Sequence, residues 1–147
     1  MFWQINLPYK IELKKQGTLE LTPRSVLRSR LQGKFTFLLM KQLGGHSFVE
    51  LPISINKSVK VPDVAWGSEA YYQQHKNDIA VSSAPEVCVE IMSVSNTKAQ
   101  MKSKVNLYLK AGATEVWIVS EAGTIQYFDK HGQKESSGFQ VKIEKLT

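Results

Sequence analysis

The sequence predicts an α/β (α+β) fold: a mixed sheet with a long N-terminal helix, a crossover helix, and flanking N- and C-terminal hairpins. Three observations carry this. Residues 86 to 93 and 114 to 120 are nearly continuous apolar runs of the kind found in strands covered on both faces, and the helical stretch between them implies a parallel crossover. Both ends of the chain instead alternate apolar with polar residues, the period of a half-buried strand. From Thr22 to Gly44, apolar residues recur at three and four, which is the period of a helix. The 147 residues suit one domain: a hairpin region over 1 to 22, a core over 23 to 120 and a C-terminal hairpin over 121 to 147.

After an apolar start (Phe2, Trp3, Ile5, Leu7), Tyr9, Ile11 and Leu13 alternate with Lys10, Glu12 and Lys14. Gln16 and Gly17 turn the chain, and Leu19 and Leu21 alternate with Glu20 and Thr22, so residues 9 to 22 read as a hairpin packed by one face on the rest. Thr22 and Pro23 form a helix start, the threonine capping free amides and the proline standing where no N–H is needed. Leu27, Leu31, Phe35 and Leu38 make the helix's apolar stripe, and Gly44 and Gly45 stop it. Gly33 either weakens it or lets another backbone approach.

Phe48 to Ile55 and residues 59 to 66 read as an antiparallel pair turned at Asn56-Lys57-Ser58. Residues 67 to 84 form a surface excursion with a short helix near Glu69 to His75, whose histidine reads as an ordinary exposed one. Strand 86 to 93 and a helix from Thr97 to Ala111, closed by Gly112, lead to strand 114 to 120. The alternating tail, TIQYFDKHG then GFQVKIEKL, reads as a hairpin or meander at the sheet's edge, with Gly123 and Gly132 as turns.

Composition narrows the function classes. A net charge of +6 and a pI near 9.4 favour polyanionic partners. Arg24, Arg28, Arg30, Lys34 and Lys41 lie in a stretch without any acid between Glu20 and Glu50, a candidate phosphate-facing surface whose plainer reading is a solvated basic face. Cys88 is the sole cysteine, which excludes an intrachain disulfide and fits a buried thiol in the cytoplasm. Lys10 and Glu12 stand where a signal peptide would need an uninterrupted apolar core, no stretch has the length of a membrane span, and the histidines at 46, 75 and 131 have no zinc-ligand spacing.

Three charged residues stand where apolar ones are expected. Asp63 shares a strand face with Val61 and Ala65, and Glu90 shares one with Cys88 and Met92. A carboxylate in such a place must be paired, hydrogen-bonded or bound to a cation. Lys104 falls inside the buried arc that Met101, Val105, Tyr108 and Leu109 define, so it points at the sheet. Singly, these are a strand-end acid, a satisfied core carboxylate and a snorkelling lysine. Together they are the parts of a metal-assisted hydrolase of phosphodiesters.

PDVAW, an excursion, APEVCVEIMSVS and a helix continuing into KVNLYLKAGATEVWIV resemble a bacterial restriction-endonuclease-like family, a branch of the PD-(D/E)XK nuclease superfamily with the lysine moved to the following helix. The similarity spans about residues 47 to 130, and more loosely the hairpin and helix before them. It implies a restriction-endonuclease-like fold and a Mg-dependent (or Mn-dependent) endonuclease acting on DNA. Asp63, Glu90 and the carbonyl of Ile91 would ligate the divalent cation, and Lys104 would orient or activate water. Gln100, Glu50 and Glu20 are additional candidates. The chain departs from the family pattern at Ser93-Val94-Ser95, where many members have Ser-Pro-Ser, at Gln100, a position often acidic, and in its shorter front end. The alternatives are a catalytically impaired nuclease-fold protein that binds nucleic acid, and a dimeric interaction protein with structural acids whose aromatic ends (Phe2, Trp3, Tyr127, Phe128) pair as a homodimer.

Overall fold

The computed structural model describes residues 9–144, so the apolar start and the last three residues lie outside the described residues. Among the described residues, the strands are β1 (Tyr9–Leu13), β2 (Leu19–Pro23), β3 (His46–Val49), β4 (Ile53–Ile55), β5 (Ser58–Lys60), β6 (Val64–Gly67), β7 (Val87–Met92), β8 (Glu115–Ser120), β9 (Ile125–Asp129) and β10 (Gly132–Lys134). The helices are α1 (Val26–Leu43), α2 (Glu69–His75) and α3 (Lys98–Lys110). A six-stranded mixed sheet runs β10-β9-β8-β7-β6-β3, and a four-stranded antiparallel sheet runs β2-β1-β5-β4.

The large sheet follows from the two apolar runs. β7 and β8 are parallel and in register from Val87 opposite Glu115 to Met92 opposite Ser120, with α3 as the crossover. Both faces of this pair are covered. On one side Val87, Val89, Ile91, Trp117 and Val119 pack against Leu31, Phe35 and Leu39 of α1. On the other, Cys88, Val116 and Ile118 pack against Met101, Val105 and Tyr108 of α3.

α1 starts later than the Thr-Pro pair suggests. Ser25 is the N-cap and accepts from the Arg28 amide, while Thr22 and Pro23 finish β2 opposite Lys10 and Tyr9. The proline sits at the edge of its sheet, where its missing N–H interrupts no ladder. Nothing lies within 4 Å of a Cβ built on Gly33, so that glycine marks no close approach. Gly45 does: its φ is +57°, and a Cβ there would stand 2.6 Å from the Gly67 carbonyl and 2.8 Å from the Trp66 ring.

The pair expected over 48 to 66 is antiparallel throughout but divided between sheets. β3 pairs with β6 in the large sheet, whereas β4 and β5 form a tight hairpin in the small one. Asn56 and Lys57, both at positive φ, make the two-residue turn whose twist suits a hairpin. The excursion contains α2 as expected, but His75 is not an ordinary surface histidine. Its ring nitrogens meet Asp78 Oδ2 at 2.9 Å and Ser83 Oγ at 3.2 Å, tying the helix to the following loop.

The tail departs from expectation. β9 and β10 form the edge hairpin, but residues 138 to 144 add no strand. Phe139, Val141 and Ile143 instead pack against the α1-side core, and buried Glu115 accepts from Ser137 Oγ at 2.7 Å and from the Gly138 amide. Side-chain anchoring replaces a ladder there.

The hairpin β1–β2 buries its charged face. Lys10, Glu12 and Thr22 point inward, while Tyr9, Ile11, Leu19 and Leu21 face outward, the two leucines 63% and 52% exposed. This reverses the usual orientation of an amphipathic strand pair, and the reason lies in what the inward charges meet.

Two substitutions check the helix and its exit. Gly33→Ala should stabilise the protein by about 0.5–1 kcal/mol, since it adds helix propensity into open space. Gly45→Ala should destabilise it by more than that, through left-handed backbone and steric conflict together. Urea denaturation midpoints of the two variants should therefore move in opposite directions.

Candidate functional site

Asp63 stands in the turn between β5 and β6, Glu90 in mid-β7 and Lys104 two turns into α3. The fold brings the three together. Each is almost wholly buried, at 4%, 1% and 5% exposure, and each is matched by a charge from elsewhere in the chain. Lys104 Nζ lies 3.1 Å from Glu90 Oε2 and 2.8 Å from Glu12 Oε1. Lys10 Nζ bridges the two acids, 3.1 Å from Asp63 Oδ1 and 3.1 Å from Glu90 Oε1, and donates to the Val61 carbonyl at 2.7 Å. Arg28 reaches in from the first turn of α1, placing Nη2 3.0 Å from Asp63 Oδ1 and donating from Nη1 to the Ile91 carbonyl. Glu12, Asp63 and Glu90 thus face Lys10, Arg28 and Lys104, three negative groups against three positive ones.

The main chain completes the network. The Ile91 amide donates to Asp63 Oδ2 at 2.7 Å, fixing that carboxylate against β7, and the Val61 amide donates to Glu12 Oε2 at 2.6 Å. Tyr108 donates its hydroxyl to Glu90 Oε1 at 3.3 Å. Among the described residues, no buried side-chain nitrogen or oxygen is without a partner. That completeness matters, because each unmatched buried charge costs several kcal/mol.

Proton affinities follow from these contacts. Burial pushes the Asp63 carboxyl above its ordinary range, and repulsion from Glu90 adds to this, while Lys10, Arg28 and the Ile91 amide pull the other way. Burial also works against ionising Glu90, but Lys10 and Lys104 outweigh it and hold that carboxyl below its ordinary value. For both lysines burial favours losing the proton, yet the carboxylates prevail: Lys10 is raised by Glu90 and Asp63, and Lys104 by Glu90 and Glu12.

The remaining candidates lie around this cluster. Glu20 is at its rim, 3.9 Å from Lys104 Nζ. Glu50 sits nearby at a φ of 52°, its carboxylate held by Arg24 at 2.6 Å and by Gln32 at 3.2 Å, and Gln32 also donates to the Asp63 carbonyl. Gln100 is not brought in. Its side chain accepts from the Thr97 amide in the capping box that starts α3. The Ser93 turn holds without a proline, since Asn96 Oδ1 accepts from the Ser93 amide and hydroxyl. Of the basic residues on and before α1, Arg28 turns inward, whereas Lys34 and Lys41 line a groove of about 420 Å³ with Lys142 and Phe37. Lys41 lies roughly 20 Å from Arg28 along the helix axis, at 1.5 Å per residue.

Lys10 and Glu12, the inward role of Arg28 and the bond from Tyr108 to Glu90 escape the sequence pattern. An alternating strand has two faces, and nothing in the alternation says which is buried when the charged one meets opposite charges. One signal is present: Arg28 is spaced three and seven residues from Leu31 and Phe35, on the helix's buried stripe.

The donor set suits a small hard cation in kind. Asp63 Oδ1, Glu90 Oε1 and the Ile91 carbonyl are all oxygens, and all already face positive charge. That charge is the protein's own, Lys10 and Arg28. Among the described residues, no three His, Cys, Asp or Glu side chains form a group that could hold a metal ion, so any such site would rest on two carboxylates and a carbonyl.

Residues 3–142 match the family model Uma2, described as "Putative restriction endonuclease". The structure resembles the crystal structure of a "putative nuclease belonging to DUF820" from Anabaena variabilis ATCC 29413, with a TM-score of 0.74, 16% identity, and coverage of 99% of this chain and 88% of that one. At that identity the likeness concerns the fold. No curated protein matches the chain. No described helix is long and apolar enough to cross a membrane.

Removing one partner exposes the value of the charge balance. Lys104→Met, which leaves Glu12 and Glu90 short of a cation, should cost about 3–5 kcal/mol in chemical denaturation. Adding Glu12→Gln should recover part of that loss, a coupling that a double-mutant cycle reads directly. Because Lys10 and Lys104 bind their protons more tightly folded than unfolded, their contribution is complete below the unfolded lysine value of 10.5 and disappears as pH rises through the folded values. Stability of the unmodified chain should accordingly fall only on the alkaline side of about pH 10.5 from this source.

Proposed function

Because the chain belongs to the Uma2 family of restriction-endonuclease-like proteins, we propose that it is a divalent-metal-dependent endonuclease hydrolysing DNA phosphodiester bonds. The observation that supports this reading is the meeting of Asp63, Glu90 and Lys104, from three separate elements, in one charge-matched cluster. Asp63, Glu90 and the carbonyl of Ile91 would hold a magnesium or manganese ion. Such an ion, when bound, supplies neutralisation of phosphate charge and acidification of water.

The protein's own groups divide the remaining work. Lys104 keeps its proton firmly, since Glu90 and Glu12 stabilise the ammonium, so it acts as a fixed positive donor and not as a base. In that role the one N–H of Nζ not given to Glu12 or Glu90 orients the attacking water, and the ammonium's charge stabilises the phosphate oxygen where charge develops. Glu12 and Glu90 both accept from Lys104 and together fix the ammonium's direction. Tyr108 does the same for the Glu90 carboxylate. Lys34, Lys41 and Lys142, along one groove, supply a positive track for the DNA backbone, with Arg24 just before the same helix and Arg30 within it. The protein works in the cytoplasm on this reading.

A second reading is favoured by two observations: Lys10 fills the place between the acids, with Arg28 beside Asp63, and Gln100 is committed to a helix cap. It is a nuclease-fold protein that binds nucleic acid without cutting it. Tyr127 and Phe128, expected to pair two copies, pack instead against the two cores, so contact with a second copy, as a homodimer, would fall to the apolar outer face of β1–β2.

Cleavage of plasmid DNA decides between them. With Mg²⁺ or Mn²⁺ the chain should nick or linearise DNA, and Asp63→Ala, Glu90→Ala and Lys104→Ala should each lower the rate by about 10²-fold or more while circular dichroism reports a folded protein. Cleavage that survives the two acid substitutions would sink the assignment. Salt-dependent binding with no cleavage in either metal would establish the second reading instead.

A further inference from the structure

Lys10 makes a contact that no other cation in the cluster makes: it touches both acids at once, at 3.1 Å to Asp63 Oδ1 and 3.1 Å to Glu90 Oε1. That is the bridging position a divalent ion takes between two carboxylates. Arg28 touches only Asp63 of the pair, and it is built into an 18-residue helix whose Leu31, Phe35 and Leu39 are locked in the core. Lys104 touches only Glu90 of the pair.

The element carrying Lys10 is attached differently. β1 is bound along its whole length to β2, an edge strand, but to the rest of its sheet by the single pair Leu13 opposite Val59. Beyond that pair it is fastened by charged side chains, Lys10 on the Val61 carbonyl and Glu12 on the Val61 amide. The hairpin's outer face is exposed, and among the described residues no second layer covers it.

Charge completes the argument. The six groups Glu12, Asp63, Glu90, Lys10, Arg28 and Lys104 balance as they stand. A divalent cation placed between Asp63 and Glu90 would bring two further positive charges within contact distance of Lys10, among groups buried from solvent screening. One of the cations must leave, and Lys10 is the one that competes for both acids from the weakest tether.

We propose that Lys10 is a tethered counter-cation that holds the bridging position between Asp63 and Glu90, and that a divalent ion enters only as the Lys10 ammonium moves out. The proposal rests on the metal-site reading above and adds to it the residue that controls occupancy. It makes Lys10 a positioning residue on the hairpin: the closed cluster is the resting form, and uptake of metal exposes a lysine otherwise 2% accessible.

Two measurements on the full chain test it. Mn²⁺ binding followed by electron paramagnetic resonance should be at least tenfold tighter in Lys10→Met than in the unmodified protein, and Asp63→Asn should abolish it in both. In the unmodified protein, acetylation of Lys10 by a water-soluble amine reagent, read by mass spectrometry, should be slow without metal and rise severalfold at Mn²⁺ saturation. This second arm needs no variant to fold. Equal Mn²⁺ affinities with the Asp63→Asn loss intact, or Mn²⁺ bound while Lys10 stays protected, would overturn the role of Lys10 and leave the metal site standing. Absence of Mn²⁺ binding in both proteins would overturn the site and the inference together.

Discussion

Six ionisable groups share a space from which water is excluded, and the architecture around them is constrained by the need to keep that set neutral and hydrogen-bonded. Taking an ion out of water costs several kcal/mol, recovered only when a partner of opposite sign is held at close range with good geometry. Here the partners come from every layer of the fold: β1 brings Lys10 and Glu12, α1 brings Arg28, the β5–β6 turn brings Asp63, β7 brings Glu90 and α3 brings Lys104. Main-chain groups of Val61 and Ile91 fill the remaining valences. The cluster therefore behaves as a small polar core beside two apolar ones, and it dictates the orientation of the hairpin above it.

This explains which parts of the architecture are legible from the chain alone. The β7–α3–β8 unit is announced by two apolar runs around a capped helix, because burial on both faces leaves no room for polar residues. The length of α2 and the stop of α1 at Gly44 are local matters of capping and turn geometry, and they too are legible. The split of residues 48 to 66 between two sheets is not, since the same alternation serves either ladder. Nor is the strandless course of residues 138 to 144, where Glu115 captures the backbone and three apolar side chains find the core without a ladder.

The site divides along the same line. Asp63, Glu90 and Lys104 stand out because each is a charge in apolar company. Lys10 and Glu12 do not, because in an alternating strand a charge occupies the position where charge is ordinarily solvated. Hydropathy ranks Tyr9, Ile11, Leu19 and Leu21 as the inward set, and electrostatics overrules it: the contacts that Lys10 and Glu12 make to Asp63, Glu90, Lys104 and Val61 outweigh leaving four apolar side chains partly in water. Gln100 errs in the opposite sense. It stands one helical turn from Lys104, yet local capping chemistry claims its side chain first.

The Lys104–Glu12 contact joins residues 92 positions apart, and the Lys10–Glu90 contact joins residues 80 apart. Contacts of that span close only after most of the chain is already ordered, because the entropy of closing a long loop must be met before the contact returns anything. On this topology the β7–α3–β8 unit, whose partners are near in sequence, can assemble early, while the hairpin docks late. Until it does, Glu90 pairs with Lys104 and Asp63 with Arg28, but the contacts these groups make to Lys10 and Glu12 are unmade. The first described strand is thus the keystone of the fold's maturation, set in place after the arch it closes.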